Sequence, residues 1–258
     1  MTERITLITG ASAGIGAEFA RLFSAKGHRV ALVARRVENL EALAKEIVAK
    51  GGPEPIVIGC DLSQDGAGDT VASALAAASV EVEYLINNAG FGLFGDAVTL
   101  SVPEQLSMID INVKTLTDLT LRFTDELIRH RGGIINLGSI ASFLPGPGMA
   151  VYYASKAYVL SFSEALHLEL SGKGVRVTAV CPGPVPTEFQ KRAGFKPGLD
   201  SMILNVSAVD VAAAGYRGVM AGRRVVLPGL GVRIIPFLLR FVPRGVVLAL
   251  AGAVQRKR

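Results

Sequence analysis

The 258-residue sequence predicts a doubly wound α/β fold, in which helices cover both faces of a parallel sheet. Six short runs of apolar or β-branched residues recur along the chain, and a helical pattern follows most of them. The runs lack polar alternation, which is typical of strands that are buried on both faces. No linker or internal repeat interrupts this order, so we predict one domain at residues 1–228 and an apolar, basic extension at 229–258.

The predicted elements alternate regularly along the chain. Strands are expected at residues 4–9, 29–34, 55–60, 82–86, 133–138 and 174–180, with a last strand in 223–228. Helices are expected near 14–26, 37–50, 66–79, 103–130, 151–172 and 207–220. Ser101 and Glu104 form a capping box with Pro103 at the helix start, and Ser207 with Asp210 marks a similar start. This order favours right-handed crossovers between parallel strands.

The formal charge of +5, from 27 Lys and Arg against 22 Asp and Glu, is unevenly distributed. From Val211 to Arg258 there are nine basic residues and no acidic one, which leaves 18 bases against 22 acids, a net −4, in residues 1–210. A chain that is 50% hydrophobic and 19% charged is too apolar to be disordered. The basic residues of the tail are interspersed with Val, Leu, Ile and Phe, so we do not expect nucleic-acid binding.

The cysteines indicate the cellular compartment, and the histidines bear on whether a metal site is expected. Cys60 and Cys181 are the only cysteines, and no signal peptide precedes the first strand, so we expect a cytoplasmic protein without a disulfide framework. The three histidines lack metal-ligand spacing, and no metal site is predicted.

The first predicted strand leads into a glycine-rich turn with the spacing G-x3-G-x-G. This differs from the dinucleotide fingerprint G-x-G-x-x-G, but its glycines equally allow a sharp turn and a close approach to a pyrophosphate. The following helix offers unpaired N–H groups to that charge. We therefore predict a nucleotide site, of the Rossmann type, at this turn. Its residues are Gly10, Ser12, Ala13, Gly14, Ile15 and Gly16.

The end of the second strand indicates which dinucleotide binds. An acid at that position would bind the ribose hydroxyls of NAD, whereas an arginine accommodates the 2′-phosphate of NADP. Here Arg35 and Arg36 follow the strand, and the first acid is Glu38. Because guanidinium pairs with phosphate bidentately, NADP(H) is favoured over NAD(H).

Tyr152 and Lys156 are four residues apart on a predicted helix and therefore share one face. A tyrosine acts as acid or base near neutral pH only if a cation stabilises its phenolate, and lowering its pKa by about three units requires about 4 kcal/mol. Ser139 follows the strand that ends near Gly138, and Asn112 lies in the preceding long helix. We predict Asn112, Ser139, Tyr152 and Lys156 as the catalytic residues.

These residues belong to a longer series of motifs. The series comprises Thr9-Gly10-x3-Gly14-x-Gly16, Asp61-Leu62, Asn87-Asn88-Ala89-Gly90, Asn112, Ser139, Tyr152-x3-Lys156 and Pro182-Gly183-x3-Thr187. Over about residues 4–228 it resembles the short-chain dehydrogenase/reductase family in its single-domain form. Tyr152 rather than Tyr153 matches the family's Y-x3-K spacing, thirteen residues after Ser139.

The resemblance implies an NADP(H)-dependent carbonyl reductase or alcohol dehydrogenase. It implies that Tyr152 is the general acid for reduction and that Lys156 lowers its pKa and binds the nicotinamide ribose. Ser139 would orient the substrate oxygen, and Asn112 would hold a water of a proton relay. It also implies a dimer or tetramer formed through the helices near 103–130 and 151–172. The further implied cofactor contacts are Asp61, Leu62, Asn88, Ala89, Gly90, Pro182, Gly183, Val185 and Thr187.

The segments expected to line the substrate pocket are apolar, which favours a hydrophobic ketone such as an acyl, steroid-like or other lipidic compound. They include Phe91, Phe94, residues 142–149 and a lid region from Phe189 to Leu204. Lys191, Arg192 and Lys196 would suit an anionic substrate end instead. Two other functions remain open, namely a cofactor-binding redox sensor without turnover and an epimerase or dehydratase.

The extension at 229–258 lies outside the family resemblance. Its longest uncharged run, Gly245 to Gln255, has 11 residues, against about 20 for a membrane-spanning helix. Arg233, Arg240 and Arg244 share roughly one helical face, although prolines prevent one continuous helix. We expect either peripheral membrane contact, a subunit interface or a flap over the pocket.

Overall fold

The computed structural model of the chain describes residues 2–189 and 206–255. Its centre is a parallel sheet of seven strands in the order 3-2-1-4-5-6-7. The strands are β1 (Glu3–Thr9), β2 (Arg29–Ala34), β3 (Ile56–Gly59), β4 (Val80–Asn87), β5 (Gly133–Leu137), β6 (Arg176–Val180) and β7 (Val225–Val226). The predicted Rossmann-type sheet is confirmed, and its strand order reverses between β1 and β4.

Helices cover both faces of the sheet. They are α1 (Gly14–Ala25), α2 (Val37–Ala49), α3 (Ala67–Ala77), α4 (Val102–Ile109), α5 (Leu116–Arg122), α6 (Thr124–His130), α7 (Ala150–Ser171), α8 (Ala208–Met220), α9 (Leu230–Leu239) and α10 (Arg244–Gln255). Ser101 caps α4 and Ser207 caps α8, each accepting a hydrogen bond from the backbone N–H three residues later, as predicted.

Successive strand residues point to opposite faces and build two separate cores. Leu7 of β1 belongs to the core beneath α3, α5 and α7, whereas the next residue, Ile8, belongs to the core beneath α1, α2 and α8. Phe19 and Phe23 of α1 fill the second core and are fully buried. Two-sided burial explains the continuous apolar runs of the strands.

The continuous helix predicted near 103–130 is wrong in one respect. A π-helical turn at Asp110–Thr115 separates α4 from α5, and Phe123 leaves helical geometry between α5 and α6. π-helical turns are rare and often occur at functional sites. This one carries Asn112, one of the predicted catalytic residues.

Candidate active site

The carboxyl ends of the strands surround a cavity of about 860 Å³ at the point where the strand order reverses. Most of the predicted site residues line this cavity. They are Gly10, Ser12, Ala13, Gly14, Ile15, Arg35, Arg36, Asp61, Leu62, Asn88, Ala89, Gly90, Ser139, Tyr152, Lys156, Pro182, Gly183, Val185 and Thr187. Gly16 and Asn112 are not among the lining residues but contact residues that are.

The glycine-rich turn brings the backbone of α1 close to the end of β4. Gly10 has φ of +66°, in the left-handed region that favours glycine. A Cβ at Gly16 would overlap the carbonyl oxygen of Gly10 and the side-chain amide of Asn88. No side chain of the described residues caps the N-terminus of α1, and its first turn contains no acid. These features suit an anionic group such as a pyrophosphate.

Thr9 and Asn88 tie the ends of β1 and β4 together. The Thr9 hydroxyl donates to the Ile86 carbonyl oxygen at 3.2 Å and accepts from the N–H groups of Asn88 and Ala89 at 3.0 Å each. The Asn88 amide donates to the carbonyl oxygens of Thr9 and Gly10 at 2.9 and 3.2 Å. Asn88 therefore stabilises the crevice between β1 and β4, and its contact with the cofactor stays a prediction.

The predicted arginine pair lies at one end of the cavity. Arg36 Nη2 is 2.7 Å from Glu188 Oε2 and donates to Ser12 Oγ at 3.1 Å, while Arg35 Nη1 is 3.9 Å from Asp61 Oδ2. Arg36 thus joins the glycine-rich turn to the segment that follows β6. Because both partners of the Arg36–Glu188 pair are exposed, the pair is worth at most about 1 kcal/mol, and a phosphate would replace the carboxylate at little cost.

The predicted catalytic tyrosine lies at the other end. Tyr152, in the first turn of α7, is only 9% exposed, and its hydroxyl lies beside the Ser139 side chain. The Ser139 oxygen also accepts a hydrogen bond from the Ala141 N–H at 3.1 Å, which fixes the serine at the end of β5. Phe189 packs against the tyrosine, with ring centroids 5.5 Å apart.

The surrounding protein raises the pKa of Tyr152, whereas the sequence led us to expect a lowered pKa. Burial raises it to about 12, and the neighbouring Ser139 side chain offsets only part of that rise. The cause is the loss of hydration, which penalises the phenolate more than the surrounding dipoles stabilise it. Tyr152 is therefore protonated near neutral pH and has a proton to donate.

Lys156 lies on the same face of α7 and is 5% exposed. Its Nζ donates to the Leu137 carbonyl oxygen at 2.7 Å and is 5.9 Å from the centroid of the Tyr152 ring. Burial lowers the pKa of Lys156 to about 8, because the ammonium is largely removed from water. The side chains of Tyr152 and Lys156 are thus close to each other, as predicted. Lys156 loses its charge at mildly alkaline pH.

Asn112 is fully buried in the π-helical turn, and its side-chain amide makes three hydrogen bonds. The amide nitrogen donates to the Phe91 carbonyl oxygen and to Ser155 Oγ, both at 3.0 Å, and the amide oxygen accepts from the Phe91 N–H at 3.1 Å. Asn112 therefore links the turn after β4 to α7. Its part in a water-mediated relay stays a prediction.

The extension contributes one wall of the cavity. Together with Leu144, Met149 and Phe189, the lining residues from α9 and α10 make this end of the cavity apolar. The residues from the extension are Val232, Ile235, Leu239, Val242, Val247, Leu250 and Ala251. Lys191, Arg192 and Lys196, and the predicted lid beyond Phe189 up to Leu204, lie outside the described residues.

Sequence reasoning missed three residues that shape the site. Ser155 holds Asn112, Glu188 pairs with Arg36, and Cys181 lies fully buried beside Ser142. Burial raises the pKa of the Cys181 thiol to about 12, so this thiol is neutral. The only sequence signal that could have identified these residues was their position next to a motif residue. Cys181 directly precedes Pro182, and Glu188 directly follows Thr187.

Comparison with known proteins agrees with this geometry. Residues 4–196 match the model of the short chain dehydrogenase family. The chain is 34% identical to serine 3-dehydrogenase of Agrobacterium fabrum over 216 residues, which covers 81% of this chain and 85% of the relative. A short-chain dehydrogenase from Sphingobium yanoikuyae, solved in complex with NADPH, superposes with a TM-score of 0.80 at 32% identity, covering 95% of this chain and 94% of that one.

A second solved structure, from work on 7beta-hydroxysteroid dehydrogenase stereoselectivity, superposes with a TM-score of 0.87 at 25% identity. The superposition covers 97% of this chain and 96% of the other. The similarity thus extends into residues beyond the family-model match.

Proposed function

The chain belongs to the short-chain dehydrogenase family, and on that premise we propose that it is an NADP(H)-dependent oxidoreductase that reduces a hydrophobic ketone. The observation that carries the proposal is the buried Tyr152 hydroxyl, which lies beside Ser139 in a cavity that also contains Arg36. One cavity therefore combines a proton donor, a polar group that orients the substrate and a cation suited to a phosphate.

The residues fit NADP(H). The uncapped N-terminus of α1 and the close packing at Gly16 leave room for a pyrophosphate and no room for a side chain. Arg36 and Ser12 would hold the 2′-phosphate, with Arg35 beside them. The structure of the Sphingobium relative in complex with NADPH supports the same cofactor here. When bound, the nicotinamide supplies the hydride.

Tyr152 supplies the proton in the proposed reduction. Its hydroxyl is protonated at neutral pH and donates to the substrate oxygen as negative charge develops there. The Ser139 hydroxyl donates a second hydrogen bond to that oxygen and orients it. Lys156 stabilises the tyrosinate that remains, and Asn112 keeps α7 in place through Ser155.

The proposed substrate class follows from the wall that α9 and α10 provide. The side chains from this extension that face the cavity are apolar, and we propose that the extension is a flap over the substrate. The serine 3-dehydrogenase relative is named for a small polar substrate, whereas the work on the second superposed structure concerns a hydroxysteroid dehydrogenase. The apolar wall favours the larger and less polar class.

We expect the purified chain to reduce bulky cyclic or long-chain ketones with NADPH. Each buried methylene contributes about 0.8 kcal/mol, so two more methylenes should raise kcat/KM by about tenfold over a small polar ketone. NADPH oxidation would be followed for cyclic ketones, 3-oxoacyl thioesters and small oxo acids, with NADH in parallel. Preference for small polar substrates would contradict the assigned substrate class. NADPH binding without turnover on any substrate would instead favour the sensor, and turnover that returns the cofactor unchanged would favour the epimerase.

The pH dependence of the reduction reports on Lys156. The pKa of Lys156 is lowered to about 8 and that of Tyr152 is raised to about 12, so the lysine loses its charge first as the pH rises. We expect kcat/KM for reduction to fall above about pH 8, because the neutral amine no longer stabilises the developing tyrosinate. Lys156→Arg, which remains charged, should remove this decline from the profile. An unchanged alkaline limb in that variant would refute the assignment.

We also propose that the chain is a cytoplasmic homo-oligomer that assembles through α4, α5 and α7. These helices expose large apolar side chains at Leu106, Leu121 and Leu168. Exposed apolar residues on two long neighbouring segments are typical of subunit interfaces.

A further inference from the structure

We propose that α9 and α10 dock the protein on an anionic membrane surface through their outer face. This outer face comprises the exposed apolar residues Ile234, Phe237, Leu238, Phe241, Val246 and Leu248, with the exposed Arg233, Arg240 and Arg244 among them. The proposal goes beyond the proposed reaction and does not depend on which substrate is reduced.

Helix α9 is apolar on two opposite sides. Val232, Ile235 and Leu239 recur at helical spacing and line the cavity. Ile234, Phe237 and Leu238 recur at the same spacing on the other side and are exposed. A helix with apolar residues on two opposite sides is typical of positions that are buried on both sides or in contact with lipid. The described part of the chain covers one of the two sides.

The exposure of the outer face is large and its aromatic residues form a pair. Phe237 is 60% exposed and Phe241 is 72% exposed, and their ring centroids are 5.3 Å apart. Scattered single apolar residues on a surface need no explanation, but a group of six on two consecutive helices and the connection between them indicates an interaction surface.

The charge of the extension favours anionic lipid over a second copy of the chain. No acidic residue follows Asp210, while Arg233, Arg240 and Arg244 are followed by three further basic residues at 256–258. An interface between two copies related by a two-fold axis would bring these like charges together. An anionic leaflet instead attracts each arginine, while the apolar side chains enter the boundary between headgroups and acyl chains.

The length of the helices indicates how they lie. Among the described helices, none combines the length and the apolar character needed to cross a bilayer. α9 and α10 have 10 and 12 residues, so they would lie in the plane of the interface. Because their inner sides line the cavity, docking places the cavity wall within about 10 Å of the lipid, the diameter of one helix. A lipid-soluble ketone would then have a short path to Tyr152.

Vesicle flotation of the full chain tests the proposal. Vesicles of phosphatidylcholine alone would be compared with vesicles that also contain phosphatidylglycerol. We expect binding to the anionic vesicles, weakened by added salt. Arg240→Gln with Arg244→Gln should lower the partition coefficient by about 30-fold, which corresponds to about 1 kcal/mol for each arginine. Phe237→Ser with Phe241→Ser should lower it by at least about tenfold, because two aromatic side chains no longer enter the apolar layer.

The matched control is Val98→Ser with Val209→Ser, which removes two exposed apolar side chains elsewhere and should leave binding unchanged. Thermal melts and light scattering of each variant would report folding and mass. Equal binding by all variants would overturn the proposal. Loss of binding only in the arginine variant would also overturn it, because the protein would then adsorb by charge without inserting apolar side chains. A fall in mass of the phenylalanine variant without loss of vesicle binding would assign the outer face to a second copy instead.

Discussion

Replacing Tyr152 with phenylalanine is expected to lower kcat for ketone reduction by about 10²- to 10⁴-fold, the range measured for loss of a positioned general acid. The phenyl ring fills the same volume and keeps its packing against Phe189, so the fold and the cavity are preserved. Only the hydroxyl that lies beside Ser139 is lost. Stopped-flow or steady-state NADPH oxidation would measure the loss, and fluorescence titration should give an NADPH affinity close to that of the unmodified protein.

Tyr153→Phe is the matched control, because this neighbouring tyrosine also lines the cavity. It does not share the spacing to Lys156, and we expect its kcat to change by less than about fivefold, the effect of one lost neutral hydrogen bond of less than 1 kcal/mol. A Tyr152→Phe variant that keeps more than a tenth of the activity would mean that another group donates the proton. Loss of NADPH binding in the Tyr152→Phe variant would show that the substitution disturbs the cofactor site. In that case Ser139→Ala would be measured as well, to separate loss of the proton donor from this structural effect.

Much of the nucleotide end could be predicted because its determinants are local. The glycines at positions 10, 14 and 16 lie within one strand–helix turn, and Arg35 and Arg36 directly follow β2. Tyr152 and Lys156 are one helical turn apart, so their common face follows from helix geometry alone. The positions of the strands could also be predicted, because burial on both faces leaves continuous apolar runs in the sequence.

Features that depend on distant partners could not be predicted. The π-helical turn interrupts a pattern that reads as one helix, and it carries Asn112, whose partners Phe91 and Ser155 are 21 and 43 residues away. The pKa of Tyr152 depends on burial by the whole fold, so the sequence suggested a shift of the wrong sign. Spacing in α9 revealed apolar residues but did not indicate that one side would face the cavity.

Charge reversal at Arg36 is expected to change cofactor preference. A glutamate at this position would lie beside Ser12 and Glu188, where it would repel a 2′-phosphate and accept hydrogen bonds from ribose hydroxyls. A charge-assisted hydrogen bond is worth about 1.5–3 kcal/mol, so the ratio of kcat/KM for NADPH to that for NADH should fall by at least about tenfold, and by about 150-fold at the upper end of that range. The measurement is initial rates at subsaturating concentrations of each cofactor with one ketone.

Arg36→Gln separates attraction from repulsion, because it removes the cation without adding an anion, and its effect should be intermediate. Arg217→Glu makes the same charge reversal on α8, where the residue is exposed and does not line the cavity, and it should leave the ratio unchanged. If Arg36→Glu leaves the ratio intact and Arg35→Glu lowers it, the phosphate site belongs to Arg35 instead. If neither substitution matters, a 2′-phosphate is not recognised at the end of β2, and the preference for NADP(H) loses its physical basis.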